Sequence, residues 1–381
     1  MPRVLYIHTQ ALRAESPHAR RTFEMLTLMR RAGLEVDVLT LPRGDAWPKG
    51  LADHVYRTLP VPFARSLPPY GSGLRRRWAT VVTALAAARL LLHKHYDVVH
   101  CADRAVRVGA LLAWLFGVRL VFEWRTASGH DLTAWARARS KRSRRAVGLI
   151  IADYPCHPAG LRETGLLGRI AVIPPLPAPS ITPLQPPPAR PKGSSQLFRL
   201  AVFSLTPDLS DLSDFLEALP RLIERPNIRV SIAGGTPAAA ERLRKRCAET
   251  LPADAQPGIR PAIAGPAEFS TFVAPADLVF FPAATGPLPP PELLDAMASR
   301  RAILAVRCPA YEGLLNGTNA MLIDSDARSL ALGVLRHLRA PCLCVDHACA
   351  AAETVAAERS IAAAAEALRA CYALALDQEA P

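Results

Sequence analysis

The side chains best suited to chemistry are carboxylates, arginines and a histidine placed where apolar runs end, together with glycine turns. Glu292 and Asp295 stand three apart in 291-PELLDAMAS-299, which puts both on one helix face. A carboxylate accepts two hydrogen bonds side by side, so either can hold hydroxyl groups; both can equally favour a helix N-terminus behind Pro291. Glu312 adds a third acid, in a loop ahead of Gly313, and Arg307 follows an apolar run. The turns Gly234–Gly235–Thr236 and Gly317–Asn319 can present backbone N–H groups to an anion without a charged side chain. In 16-SPHARR-21, Ser16 has the N-cap type and Pro17 suits the first helical position. Arg20 and Arg21 then fall in the first turn, where the helix dipole disfavours cations by about 0.3–1 kcal/mol. A bound anion offsets that; solvation at the surface is the alternative. His100 ends a buried run and either orients a hydroxyl or serves as a satisfied structural residue. Glu123 and Arg125 end the next run, facing a ligand or each other.

Three further patterns imitate function. The triplet 324-DSD-326 has the look of a metal-binding pair, but Asp326 is placed to cap the next helix. The cluster 342-CLCVDHAC-349 contains zinc-ligand types at a spacing that fits no common zinc module, and reads as core. The runs 137-RARSKRSRR-145 and 75-RRR-77 lack interleaved stacking aromatics, apart from Trp78. They suit a basic helix face on anionic lipid better than nucleic acid.

The elements that must position these residues repeat one grammar: a short Val/Ile/Leu run, a polar or glycine turn, an amphipathic helix. Strands are expected at Val4–His8, Glu35–Thr40, Val98–Cys101, Val118–Glu123, Gly148–Ala152 and Ile170–Ile173. A second set is expected at Leu200–Phe203, Arg229–Ala233, Ala262–Ala264, Leu278–Phe281, Ile303–Val306 and Ala320–Ile323. Helices fall between them, near 18–32, 75–95, 104–116, 131–146, 211–225, 238–249, 291–299, 327–338 and 353–376. Continuous apolar strands between helices imply parallel sheets covered on both faces, an α/β class. A proline-rich linker at 174–197 separates a first Rossmann-like domain, 1–173, from a second, 198–355. A C-terminal helix at 356–381 is expected to pack back on the first domain. Two such sheets facing each other leave a cleft at their strand ends, where open α/β sheets bind ligands.

Of 46 Lys and Arg and 33 Asp and Glu, residues 1–173 carry 27 and 12, the remainder 19 and 21. The excess of positive charge therefore sits in the first half and points to a polyanionic partner. The longest apolar run, 108-VGALLAWLFGV-118, is too short for a membrane span. The start, MPRVLYIHT, lacks the layout of a signal peptide, and eight scattered cysteines resemble no disulfide framework. These features predict a cytoplasmic protein, peripheral on the inner face of the membrane.

The motifs choose among twin-domain folds. The segment 231-SIAGG-235 with Thr236-Pro237, the stretch ending 293-LLDAMASRRAILA-305 and the block 309-PAYEGLLNGTNAMLID-324 resemble the second domain of the retaining family-4 glycosyltransferases, also called glycosyl transferases group 1. In the first half, 97-DVVHCAD-103 and 19-ARRTFEMLTLMRRAGLEVDVLT-40 resemble the corresponding parts of the same family. The resemblance implies the GT-B architecture and makes the second half the donor domain. It matches Glu312 to a carboxylate beside the transferred sugar, Asp295 to one near the nucleotide, and Glu123-x-Arg125 to a variant of the acceptor-side histidine. Gly234, Gly235, Gly317, Asn319, Arg307, Arg20 and Arg21 become the candidates for the donor diphosphate, Glu292 a second ribose contact, and His100 and Arg125 catalytic candidates beside Glu312.

Two departures stand out. The family's first glutamate, eight residues before Asp295, is Pro287 here. The family's Arg and Lys after the first donor-domain strand are replaced by 203-FSLTPDLSD-211, which has no cation. The implied function is transfer of a sugar from a nucleoside-diphosphate sugar to a glycan or lipid-linked acceptor, with retention and without a metal or cofactor, in cell-surface polysaccharide or glycolipid biosynthesis. The implied partners are the donor, the acceptor and an anionic membrane surface, with no nucleic acid. The alternative is a non-catalytic GT-B shell that binds a nucleotide, glycan or partner protein.

Overall fold

Short runs of three to six residues, most of them apolar and too short for helices, form thirteen strands among the described residues. They are β1 (Arg3–Ile7), β2 (Glu35–Thr40), β3 (His54–Arg57), β4 (Val98–Ala102), β5 (Arg119–Trp124), β6 (Val147–Ala152), β7 (Arg169–Val172), β8 (Phe198–Phe203), β9 (Ile228–Ala233), β10 (Gly258–Arg260), β11 (Leu278–Phe281), β12 (Ala302–Val306) and β13 (Met321–Ile323). The helices are α1 (Pro17–Arg31), α2 (Gly73–His93), α3 (Val106–Phe116), α4 (Ser213–Ile223), α5 (Pro237–Thr250), α6 (Pro266–Val273), α7 (Pro291–Ala298), α8 (Ala327–Arg339), α9 (Pro341–Glu358) and α10 (Ile361–Leu376). The structure is a computed structural model that describes residues 1–8, 17–41, 50–58, 73–102, 105–124, 147–153, 169–178, 181, 183–188, 196–225, 227–263, 265–284, 286 and 289–377. The chain divides into two units, Met1–Pro175 with Ile361–Pro381, and Leu176–Ser360.

The first unit holds a seven-stranded sheet in the order β3-β2-β1-β4-β5-β6-β7, parallel throughout. Side chains alternate across it. Leu5, Ile7, Val99, Cys101, Leu120 and Phe122 pack with α2 and α3 in one core. Tyr6, His100 and Glu123 point to the opposite face, toward α1 and α10, which pack on each other. α10 belongs to this unit although it follows the whole of the other one in sequence.

The second unit holds a six-stranded parallel sheet, β10-β9-β8-β11-β12-β13. Phe215, Ala218, Leu219 and Leu222 lie at i, i+3, i+4 and i+7 of α4 and are all buried. Phe215 stacks on Phe280 of β11 at 5.8 Å. Complete burial of such a side chain stabilises by roughly 1.5–3 kcal/mol. Across the sheet, Phe203, Phe281, Ile303 and Ala305 pack against α6, α7 and α9. In both sheets the order reverses beside the first strand, between β1 and β4 and between β8 and β11. Open α/β sheets form a crevice beyond the strand ends at such a point.

Two expectations need correction, and β3 and α6 were not among the expected elements. β3 carried no apolar period because it is an edge strand with exposed side chains. The strand expected at Ala262–Ala264 lies instead at Gly258–Arg260, paired with Ser231–Ala233. The single helix expected over 353–376 is two, α9 starting at Pro341 and breaking at Arg359–Ser360 before α10. The helix expected at 131–146 lies outside the described residues.

Candidate functional site

Beyond the C-terminal strand ends of the second unit, the loop after β8 folds on an acid. The Asp211 carboxylate accepts from Ser204 Oγ (2.5 Å), the Leu205 N–H (2.6 Å) and Thr206 Oγ (2.8 Å). This carboxylate closes the loop where the related motif would carry cations. The turn after β9 lies against it. Gly234 and Gly235 have φ of 135° and 69°. A Cβ on Gly234 would stand 2.7 Å from Ser204 Cβ and 2.8 Å from its carbonyl oxygen, and one on Gly235 would stand 2.8 Å from the Leu209 side chain. Both positions therefore require glycine on two counts, conformation and space. Thr236 caps α5 by accepting from the Ala239 N–H, and its own N–H donates to the Pro207 carbonyl at 2.7 Å. That amide, expected to serve an anion, is already engaged.

The loop after β11 leads to α7, where Pro291 occupies the first helical turn. Pro287 lies outside the described residues. Glu292 is half-buried in that turn. Asp295 corrects the expectation of an open ribose acceptor: it is wholly buried and its carboxylate accepts from the Ala178 N–H at 2.8 Å. A buried carboxylate needs such a donor, and here the backbone at 178 supplies it. The fully buried Tyr311 donates to the Pro282 carbonyl at 2.6 Å and so ties the β12–β13 loop to the loop after β11.

The β12–β13 loop contains the open groups. Arg307 is exposed, while its N–H donates to the Ile323 carbonyl. Glu312 is exposed directly after a 3₁₀ turn, Pro309–Tyr311, and precedes Gly313 at φ 77°. Gly317 is exposed, and its backbone also bonds His347. Asn319 is buried and structural: Oδ1 accepts from the Asn316 N–H at 2.8 Å, and Nδ2 donates to the Leu314 carbonyl and to Thr354 Oγ. This corrects its placement as a donor ligand, because both ends of the amide hold the turn. Asp326 caps α8 by accepting from the Ser329 N–H. Cys342, Cys344, His347 and Cys349 ride on α9, and among the described residues no three His, Cys, Asp or Glu gather as a metal site.

In the first unit the strand-end residues form a closed polar cluster. Arg21, in the first turns of α1, donates to Asp153 (2.8 Å) and to the Ile173 carbonyl (2.7 Å), pairs with Glu24, and approaches Glu123 at 3.5 Å. It is buried among carboxylates, which corrects its placement as a diphosphate ligand. Arg20 beside it is half-buried. Glu123 accepts from the Tyr6 phenol at 3.0 Å. His100 is also wholly buried, stacked on Tyr6 at 4.9 Å, with Nδ1 2.6 Å from the Tyr372 phenol of α10. Burial first, then nearby Tyr6 and Glu123, hold the Tyr372 phenol well above its ordinary pKa. The phenol therefore stays protonated, and His100 Nε2 lies 3.6 Å from Glu123. His100 is thus a positioned internal residue and not a group open to substrate. Arg125 lies outside the described residues.

Sequence reasoning missed Asp153, Asp211 and Tyr372. Tyr372 had one signal, as the sole aromatic in the alanine-rich segment 361–376.

Comparison with known proteins follows the same division. Residues 18–175 match the model described as glycosyl transferase 4-like domain, and residues 200–340 the model of glycosyl transferases group 1. A glycosyltransferase from Rickettsia africae ESF-5 superposes with a TM-score of 0.70 at 14% identity, covering 99% of each chain. Anabaena Alr3699/HepE, solved with UDP and glucose, gives 0.66 at 14% identity, covering 98% of this chain and 100% of that one. Sucrose-phosphate synthase from Thermosynechococcus elongatus gives 0.65 at 14% identity, covering 98% of both. No curated protein matches the sequence.

Proposed function

The chain belongs to the group 1 glycosyl transferases of GT-B fold, and from that premise we propose that it moves a hexose-type sugar from a nucleoside diphosphate to a glycan or lipid-linked acceptor. The reaction retains anomeric configuration and uses no metal. Its setting is the assembly of cell-surface polysaccharide or glycolipid at the inner face of the membrane.

One observation carries the reading. Of the acids on the donor-side loops, Asp295 and Asp211 are bonded inside their own domain and Glu292 is half-buried, whereas Glu312 stands exposed in the β12–β13 loop. In the proposed step the bond from the anomeric carbon to the diphosphate oxygen breaks as the acceptor oxygen bonds that carbon from the same face. The acceptor proton passes to the departing diphosphate oxygen. Glu312 holds sugar hydroxyls and supports the positive charge that develops on the anomeric carbon. Arg307 and the backbone of the Gly234–Gly235 turn face the diphosphate, and Glu292 the ribose. Transfer of charge stabilisation to peptide dipoles compensates for the absent Arg and Lys after β8.

A second reading, a non-catalytic shell, is favoured by the self-satisfied loop at Ser204–Asp211. One experiment separates the two. UDP-, GDP- and ADP-sugars are screened for thermal stabilisation and for donor turnover. Binding at 100 times Kd adds about 2.7 kcal/mol. Sugar transfer requires a nucleotide that raises the melting temperature and a donor that is consumed. Stabilisation without turnover selects the shell, and no stabilisation by any of them removes both nucleotide readings.

A further inference from the structure

A helix that covers a sheet from the solvent side normally turns polar residues outward. α2 does so only in part. Thr83 and Ala87 face the core, while Trp78, Val81, Leu85 and Leu92 are exposed alongside Thr80, Arg89 and His93. α3, packed beside α2 on the same face of the sheet, also turns Leu111, Trp114 and Leu115 outward. Trp78, Leu85, Leu92, Leu111, Trp114 and Leu115 are 45–72% exposed. More than half of the exposed large apolar side chains among the described residues stand on these two helices. Neither helix contains an Asp or Glu, and their sequences carry Arg75, Arg76, Arg77, Arg89 and Arg107.

We propose that the joint outward face of α2 and α3 is a docking surface for an anionic lipid bilayer, with the tryptophans and leucines entering the headgroup boundary and exposed Arg89 meeting a lipid phosphate, on helices whose sequences add four more arginines and no acid. The inference deepens the membrane partner named in the preceding reading and rests on it. Tryptophan, leucine and arginine without acids is the composition of helices that lie in a membrane interface. Among the described residues no helix is long and apolar enough to cross a membrane, so the face rests on the bilayer and does not span it. Charge decides against a second copy of the chain. A symmetric pairing would set one acid-free cationic face against another, whereas an anionic leaflet complements it.

The test sediments the full chain with vesicles of phosphatidylcholine alone, or mixed with an equal part of phosphatidylglycerol. The wild type is expected to follow the mixed vesicles, less strongly as salt rises. A Leu85→Glu/Trp114→Glu variant should partition at least about tenfold less, and Leu92→Glu should lie between. Leu332→Glu, at an exposed apolar position of the other unit, should bind as the wild type does. Melting temperature and nucleotide-dependent stabilisation should be the same in all four proteins. If the double variant binds vesicles like the wild type, this surface is wrong while membrane association itself stands. A dimer that dissociates in the double variant, without vesicle binding, assigns the face to a second copy and overturns the proposal. If the wild type ignores both vesicles, the membrane partner falls too, and nucleotide stabilisation still reports separately on sugar transfer.

Discussion

Glu312 differs from its neighbouring acids in what the fold leaves it to do. Asp211 knits a loop, Asp295 holds the backbone at 178, and Asp326 caps a helix. Each of those carboxylates is stabilised by donors within its own domain, so removing one would register first as lost stability. Glu312 is exposed, so replacing it should leave folding unchanged. Glu312→Gln keeps the shape and removes the charge. Transfer should fall by about 10²–10³-fold with an unchanged melting temperature, since one well-aimed electrostatic contact is worth that much in a transition state. Measured product formation at saturating donor checks this. A variant with full activity would return Glu312 to an ordinary loop residue and leave the sugar without its proposed carboxylate.

At the scale of elements, the glycine turn after β9 is determined by the loop after β8. Gly234→Ala would force a methyl group into the Ser204 backbone at a φ that side chains avoid. It should destabilise the second unit by about 1–3 kcal/mol, read from its urea midpoint. Ala at Gly317, where a Cβ meets nothing within 4 Å, should cost far less. An equal cost at both positions would mean that the Ser204 contact is not what requires glycine at Gly234. The turn itself was legible, because an apolar run followed by Gly-Gly-Thr-Pro writes out strand, turn, cap and helix start in order. The parallel sheets were legible for the same reason. The edge strand at His54–Arg57 was not, because an exposed strand has no apolar face to declare. The partners of the candidate site residues were the least legible. Asp295 meets its donor 117 positions away, and His100 meets Tyr372 272 positions away. Spacing along a chain shows which groups share a helix face. It does not show which of them another segment will bury.

The whole molecule joins one basic half to one nearly neutral half, and its first unit is complete only when α10 returns after the second unit has been threaded. The two units bury different titratable groups. In the second unit His337 donates Nδ1–H to the Gly333 carbonyl and turns Nε2 toward His347 at 3.3 Å. Burial lowers the His337 pKa from 6.5 to about 4 and lowers that of His347 as well. Below pH 6.5 the unfolded chain therefore binds protons that the folded unit refuses, so stability falls with pH across the window from about 6.5 to about 4. His337 alone accounts for up to about 3 kcal/mol of that loss. In the first unit Asp37 behaves differently. Burial works against its charge, but the Tyr96 phenol, Lys94 and Arg3 outweigh it and hold the pKa below 3.8. Its contribution is present above pH 3.8 and is lost only as pH drops further. Calorimetry between pH 7.5 and 4.5 should thus show the second unit's transition moving down. His337→Gln should flatten the shift. A transition that stays in place, or a decline that His337→Gln leaves untouched, would remove the buried histidines as its source.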